Sequence, residues 1–231
     1  MNYTATRINR FVAENRFDDL ISFSEQRHQL QFEMLLQEIQ AANAGDHGSR
    51  GNVVMVAGPS SSGKTTFSNV LAGYLKDSGY RIRVISVDDF YLLKRKSGAW
   101  THLESSDCCD IAGRIPRYED DFDYETLDAF DIPFFQKQMN DFLAGREIVL
   151  PYYNFTTGMR ETGEKLSPDA KDFLILEGIP TLNPALTAGV QFRHKFRVYI
   201  CPFDSYVPEE GDETHLILPR QIRFMRRAIR D

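Results

Sequence analysis

Hydrophobic positions along this chain change their period several times, and each change marks an element. From Ile8 to Ala42, Phe11, Leu20, Ile21, Phe23, Leu30, Phe32, Leu35, Leu36 and Ile39 recur every three or four residues among charged partners, which predicts helix. Asn43 to Asn52, with Gly45, Gly48 and Gly51, breaks that period and reads as a linker. The expected organisation is a helical N-terminal arm over 1–45 and a main domain over 52–231.

The main domain opens with Val53–Ala57, a continuous apolar run suited to a strand buried on both faces. A glycine-rich segment follows, then a helix with Phe67, Val70, Leu71, Tyr74 and Leu75 on one side and Gly79 at its C-terminal cap. Further strands are predicted at Ile82–Val87, at Ile148–Leu150 before Pro151, at Phe173–Leu176 and at Phe196–Ile200. Helices are predicted over Ile132–Leu143, closed by Gly145, and over Arg220–Asp231. Leu92 to Asp123 reads as one long polar loop, a length usually associated with function or disorder. Strands alternating with helices predict an α/β fold with a mostly parallel sheet flanked by helices.

Composition narrows the class. The 231 residues suffice for one substantial core, and 42% apolar with 26% charged residues is ordinary for a soluble domain. No apolar run approaches the roughly 20 residues of a membrane span. The start, Met1–Ala5, lacks a secretory layout. Three cysteines, two of them adjacent, give no disulfide framework and favour a reducing, cytoplasmic setting. Cys108 and Cys109 also lack the spacer of a zinc site. A net charge of −6 carries no strong nucleic-acid signal.

The segment between the first strand and its helix reads Gly58-Pro59-Ser60-Ser61-Ser62-Gly63-Lys64-Thr65, the P-loop pattern. Glycines let the backbone curl so that successive N–H groups face phosphate oxygens, and the following helix adds its positive end. Gly58, Ser60, Ser61, Ser62, Gly63, Lys64, Thr65 and Thr66 are the candidate nucleotide contacts. Lys64 would neutralise the β- and γ-phosphates, and the Thr65 hydroxyl would ligate Mg²⁺. The motif by itself points to a bound nucleoside triphosphate, ATP with Mg²⁺, and together with the strand-end acids below to a small-molecule kinase.

Ligands of open α/β sheets sit beyond the carboxyl ends of the strands. Asp88 follows the strand Ile82–Val87, and Glu177 follows the strand Phe173–Leu176. Asp88 suits the proton acceptor for an attacking hydroxyl, and Glu177 a place beside Mg²⁺. Strand-end acids also cap helices or face water, and position alone leaves both readings open. On the last helix, Arg220, Arg223, Arg227 and Arg230 share one face, which suits either solvent or phosphate.

From Val53 onward the chain resembles the uridine kinase branch of the phosphoribulokinase/uridine kinase family. The P-loop carries the resemblance together with Ser86-Val87-Asp88-Asp89-Phe90-Tyr91, Asp121-Phe122-Asp123 and Leu127-Asp128-Ala129-Phe130-Asp131. Leu150-Pro151-Tyr152-Tyr153-Asn154-Phe155, Leu174-Ile175-Leu176-Glu177-Gly178-Ile179 and Ile222–Asp231 complete it in family order. The resemblance implies a P-loop NTPase-type fold and phosphoryl transfer to a ribose 5′-hydroxyl of a nucleoside. It makes Asp88 the catalytic base, Asp123 the ligand of the ribose 2′- and 3′-hydroxyls, and Tyr91, Tyr153 and Phe155 the walls of the nucleoside pocket. Arg160 lies in the same segment and is expected at the substrate. Arg226, Arg227 and Arg230 match the lid over the phosphates. In relatives the lid continues beyond the position of Asp231, so an incomplete lid is expected. Gly158 stands where short uridine-cytidine kinases set a histidine against the pyrimidine, so the resemblance does not assign the base.

The alternatives kept beside this reading are another small acceptor, such as a sugar phosphate or pantothenate, and a non-catalytic nucleotide-binding module. A membrane partner is not expected, and self-association is left open.

Overall fold

The computed structural model describes residues 3–44, 50–94, 100–101, 126–201, 206–207 and 219–230. The chain divides into two compact units: Met1–Gly45 with Pro59–Gly63 and Ile200–Asp231, and Asp46–Gly58 with Lys64–Tyr199.

In the first unit, the expected single helix is two: α1 spans Ala5–Ala13 and α2 spans Phe17–Ala42. The break is a Schellman cap. Asn15 takes φ 53°, its N–H donates to the Val12 carbonyl, and the Arg16 N–H reaches the Phe11 carbonyl. Arg16 then ion-pairs with Glu14 and Asp19, holding the corner from both sides. Neither Gly nor Pro announces this break, which is why periodicity alone runs through it. A two-residue parallel pairing, Tyr3–Thr4 with Tyr206–Val207, and helix α5, Pro219–Arg230, complete the unit.

The second unit is built on four parallel strands: β1 (Asn52–Ala57), β2 (Arg81–Ser86), β5 (Asp172–Glu177) and β6 (His194–Tyr199). Their order is β2-β5-β1-β6. Every residue of β1 and β5 is buried, as the apolar runs Val53–Ala57 and Phe173–Leu176 require, and Asn52, Asp172 and Glu177 are buried polar residues at the strand ends. Helix α3 (Lys64–Asp77) packs on β2 and β5. It ends at Gly79, φ 89°, in the same cap geometry as α1. Val53, Met55, Leu174 and Leu176 join the other core, with Phe135, Met139 and Phe142 of helix α4 (Ile132–Leu143). Asp131 caps α4 by accepting the Phe134 N–H, and Gly145, φ 82°, closes it.

Strand β3 runs Ile148–Asn154, through Pro151, and pairs antiparallel with β4, Met159–Leu166. This hairpin was not expected beyond Leu150. Proline argues against a central strand, but here a register shift between Val149 and Pro151 accommodates it. Strand β4 buries only Arg160 and Leu166 among charged neighbours, so its own sequence has no strand signature. Gly158, φ 68°, closes the hairpin turn, where Asn154 Oδ1 accepts the Thr156 and Thr157 N–H groups. Within the expected long loop, Leu93–Lys94 pairs with Trp100–Thr101, while residues 95–99 and 102–125, Asp123 included, lie outside the described residues.

At the bulge, a Cβ on Gly163 would stand 2.7 Å from the Leu150 carbonyl oxygen, a backbone atom that cannot swing away. Gly163→Ala is expected to lower stability by about 1–3 kcal/mol, the usual range for overpacking, measured by urea unfolding.

Candidate functional site

Strand β1 ends at Ala57, and the glycine loop follows. Ser61 and Gly63 have φ of 59° and 102°, and Gly58 has φ 155°. A residue other than glycine at positive φ is uncommon and marks a locally determined turn. The Ser62 N–H closes that turn on the Pro59 carbonyl. The Ser61 and Ser62 hydroxyls are buried without a hydrogen-bond partner among the described residues, which leaves two donors for a polar ligand. Ser60 is half-buried, and Thr66 is exposed on the first turn of α3.

A Cβ on Gly63 would lie 3.3 Å from the Arg226 guanidinium. The arginine brought beside the loop is therefore Arg226, while Arg227 lies exposed on the same helix. Arg226, which the resemblance assigns to the lid together with Arg227 and Arg230, stands outside the face shared by Arg220, Arg223, Arg227 and Arg230.

The second unit carries the acidic centre. Glu177, the last residue of β5, pairs in register with Val56 of β1 and Ser86 of β2. Asp88 lies two residues past Ser86, in the 3-10 turn Val87–Phe90. The Thr65 hydroxyl donates to Glu177 Oε2 at 2.9 Å. Asp88 Oδ1 is fully buried and has no partner among the described residues. Gly178 makes room for it: a Cβ there would meet Val87 Cβ at 3.0 Å and Asp88 Oδ1 at 3.4 Å. Burial pushes the Asp88 carboxyl up to about 6 from its ordinary 3.8. The nearby Glu177 carboxylate adds to the rise, Lys64 opposes it, and Asp89 raises it further.

The aromatic candidates converge but differ in exposure. Tyr91 packs 4.3 Å from Phe130, with Tyr153 at 5.3 Å and Phe155 at 5.8 Å between ring centroids. Tyr91 and Tyr153 are buried, while Phe155 is 58% exposed and alone offers a broad open face. Arg160, expected at the substrate, instead points inward. Its Nη1 donates to Asp131 Oδ2 at 3.0 Å, and its guanidinium lies 4.5 Å over the Phe134 ring. Asp131 thus caps α4 with one oxygen and anchors β4 with the other. Its place one residue before the α4 pattern, ahead of Pro133, was the available signal for the cap; nothing local announced Arg160.

Among the described residues no helix is long and apolar enough to cross a membrane. No group of three or more acidic, histidine or cysteine side chains among them gathers as a metal site. A divalent cation bound mainly through phosphate and water needs only one or two protein ligands, which Thr65 and Glu177 can supply.

A parallel sheet with a glycine loop after its first strand and acidic residues at or just past the ends of its neighbours is that of a P-loop α/β protein. The chain belongs to the Phosphoribulokinase / Uridine kinase family, whose model it matches over residues 53–205. It is 29% identical over 179 residues to a uridine kinase of Lactobacillus helveticus, covering 78% of this chain and 67% of that one. It is 32% identical over 136 residues to a uridine kinase of Ligilactobacillus salivarius, covering 58% and 54%. The chain thus spans between about half and two thirds of these relatives. A solved structure described as a possible uridine kinase from Bacillus stearothermophilus superposes with a TM-score of 0.52 at 21% identity, over 75% of this chain and 80% of that one. One described as a putative fructose transport system kinase from Silicibacter gives 0.51 at 21%, over 72% and 73%. At that identity the two structures establish the fold alone.

Two outcomes follow from the geometry. Because the folded-state pKa of Asp88 stands above 3.8, the stability tied to its proton is complete below that pH and is lost as pH rises through about 6. Asp88→Asn carries no charge to bury, so the ligand-free variant is expected to melt above wild type at about pH 7.5, the gap closing below about pH 4, by thermal unfolding. Arg160→Ala removes the buried ion pair with Asp131, with an expected loss of about 3–5 kcal/mol in denaturant unfolding.

Proposed function

We propose that this chain is an ATP-dependent nucleoside kinase that transfers the γ-phosphate to a ribose 5′-hydroxyl. The observation that carries the reading is Asp88: a buried carboxylate oxygen without a partner among the described residues, beside Glu177 and Lys64, at the carboxyl end of the sheet that bears the P-loop. Both relatives named above are uridine kinases, which favours a nucleoside acceptor.

In this reading the loop from Gly58 to Thr65 holds the triphosphate through its N–H groups, with Lys64 balancing charge on the β- and γ-oxygens. Thr65 and Glu177 would hold Mg²⁺, which when bound supplies positive charge to the phosphate oxygens. Asp88 accepts the proton of the acceptor hydroxyl as that oxygen bonds to the γ-phosphorus and the bond to the ADP oxygen breaks. With a pKa of about 6, Asp88 is ionised near neutrality yet basic enough to take a proton. Asp123 grips the ribose by family resemblance, and Tyr91, Tyr153 and Phe155 wall the base. Arg226 beside Gly63, together with Arg227, would meet the phosphates. In this reading the Arg160–Asp131 pair supports the hairpin that carries Tyr153 and Phe155. The cytoplasm, where ATP is abundant, is the setting this reaction fits.

The test is ADP release with a panel of nucleosides, using Lys64→Ala as the control. Nucleoside-dependent release that the control loses supports the reading; ATP binding with no acceptor-dependent release overturns it. Asp88→Asn is expected to lower kcat by about a thousandfold or more while ATP affinity stays within about threefold. Wild-type kcat/KM for the acceptor should rise with pH through about 6, as Asp88 loses its proton.

A further inference from the structure

We infer that Asp89 is a positioning residue that clasps the aromatic hairpin to the strand end carrying Asp88, so that the acceptor pocket and the reacting oxygen are held in one frame. The inference rests on the nucleoside kinase reading above.

Asp88 and Asp89 are adjacent in a 3-10 turn, where successive side chains diverge by about 120°. Asp88 faces Glu177 and Lys64. Asp89 faces the hairpin, and its Oδ1 accepts the Tyr153 backbone N–H at 3.0 Å. Two residues past Asp89, the Tyr91 ring contacts the rings of Tyr153 and Phe155, which themselves lie 5.0 Å apart. One charge-assisted hydrogen bond and one aromatic cluster therefore tie the same two segments. Apolar ring contacts tolerate sliding, whereas the hydrogen bond fixes the height of β3 relative to the turn. Burial raises the Asp89 carboxyl above its ordinary value, and the Tyr153 N–H offsets only part of that rise.

Beside Asp89 lies a cleft of about 340 Å³, bounded by Ile85, Phe90, Leu150, Pro151 and Tyr152. Water entering it can reach the Tyr153 N–H once the carboxylate is removed. Loss of Asp89 therefore loosens the hairpin without leaving an orphaned donor, and the variants can be purified and assayed.

The experiment compares wild type, Asp89→Ala and Asp89→Asn, with KM measured for uridine and for ATP and amide hydrogen exchange followed over residues 148–155. Asp89→Ala is expected to raise KM for uridine about tenfold or more while KM for ATP stays within about twofold. Asp89→Asn keeps an oxygen acceptor for Tyr153 and is expected to remain within about threefold of wild type. Exchange at 148–155 should quicken in Asp89→Ala and match wild type in Asp89→Asn. An Asp89→Ala protein with unchanged uridine KM, or with both KM values rising together alongside a fall in Tm, overturns the inference. So does Asp89→Asn as impaired as Asp89→Ala. Should wild type release no ADP with any nucleoside, the kinase reading fails by itself. The exchange data then decide the clasp: unchanged protection in Asp89→Ala overturns it, and lost protection restored in Asp89→Asn supports it.

Discussion

Strand β5 lies between β1 and β2, and its last residue, Glu177, faces Val56 on one side and Ser86 on the other. Each chemical group of the acidic centre is placed by that three-strand register. The glycine loop begins two residues past Val56, Asp88 lies two residues past Ser86, and Thr65 on the first turn of α3 closes onto Glu177. A slip of one residue would turn β5 over, burying Glu177 in apolar side chains and withdrawing it from Thr65. Asp172 and Glu177, buried at the two ends of β5, resist such a slip, because it would take Asp172 from Arg83 and Glu177 from Thr65.

The register also sets the electrostatics. Asp88 and Glu177 are two carboxylates at or just past neighbouring strand ends, opposed by the charge of Lys64. Their mutual repulsion and the burial of Asp88 hold its proton affinity near the working range of a base. The fold tolerates this because Val53–Ala57 of β1 and Phe173–Leu176 of β5 are apolar and buried, a familiar division between a stable scaffold and a destabilised site. Gly178 belongs to the same arrangement, since any side chain there would press on Val87 and Asp88.

Around that centre, the hairpin is attached by polar links at two levels. Asp89 holds β3 through Tyr153, and Asp131 holds β4 through Arg160 while also starting α4. The Arg160 pair is dry and capped by the Phe134 ring, so it acts as a fixed strut. Tyr91, Tyr153 and Phe155 are thereby presented from two chain segments, with only Phe155 largely open.

The parallel strands, α3, α4, the P-loop and the acids Asp88 and Glu177 were legible in the sequence because each rests on a local signal. Those signals are apolar runs for buried strands, glycines at 79 and 145 for caps, and a spaced motif for the loop. The cap at Asn15 uses the same geometry as those two glycines, but a residue that only tolerates positive φ announces it far more weakly. Strand β4 was hidden for another reason: its pairing with β3 comes from the register across a bulge, not from alternation in its own residues. Partner choice was likewise invisible. Nothing local separates the roles of Asp88 and Asp89, or indicates that Arg160 turns inward to Asp131 while Arg226, not the regular arginine stripe, reaches Gly63. The sequence by itself determined which residues form strands and where the phosphate loop and its acids fall, because those depend on near neighbours. Only the tertiary structure decided which charge meets which, because that depends on distances between segments far apart in the chain.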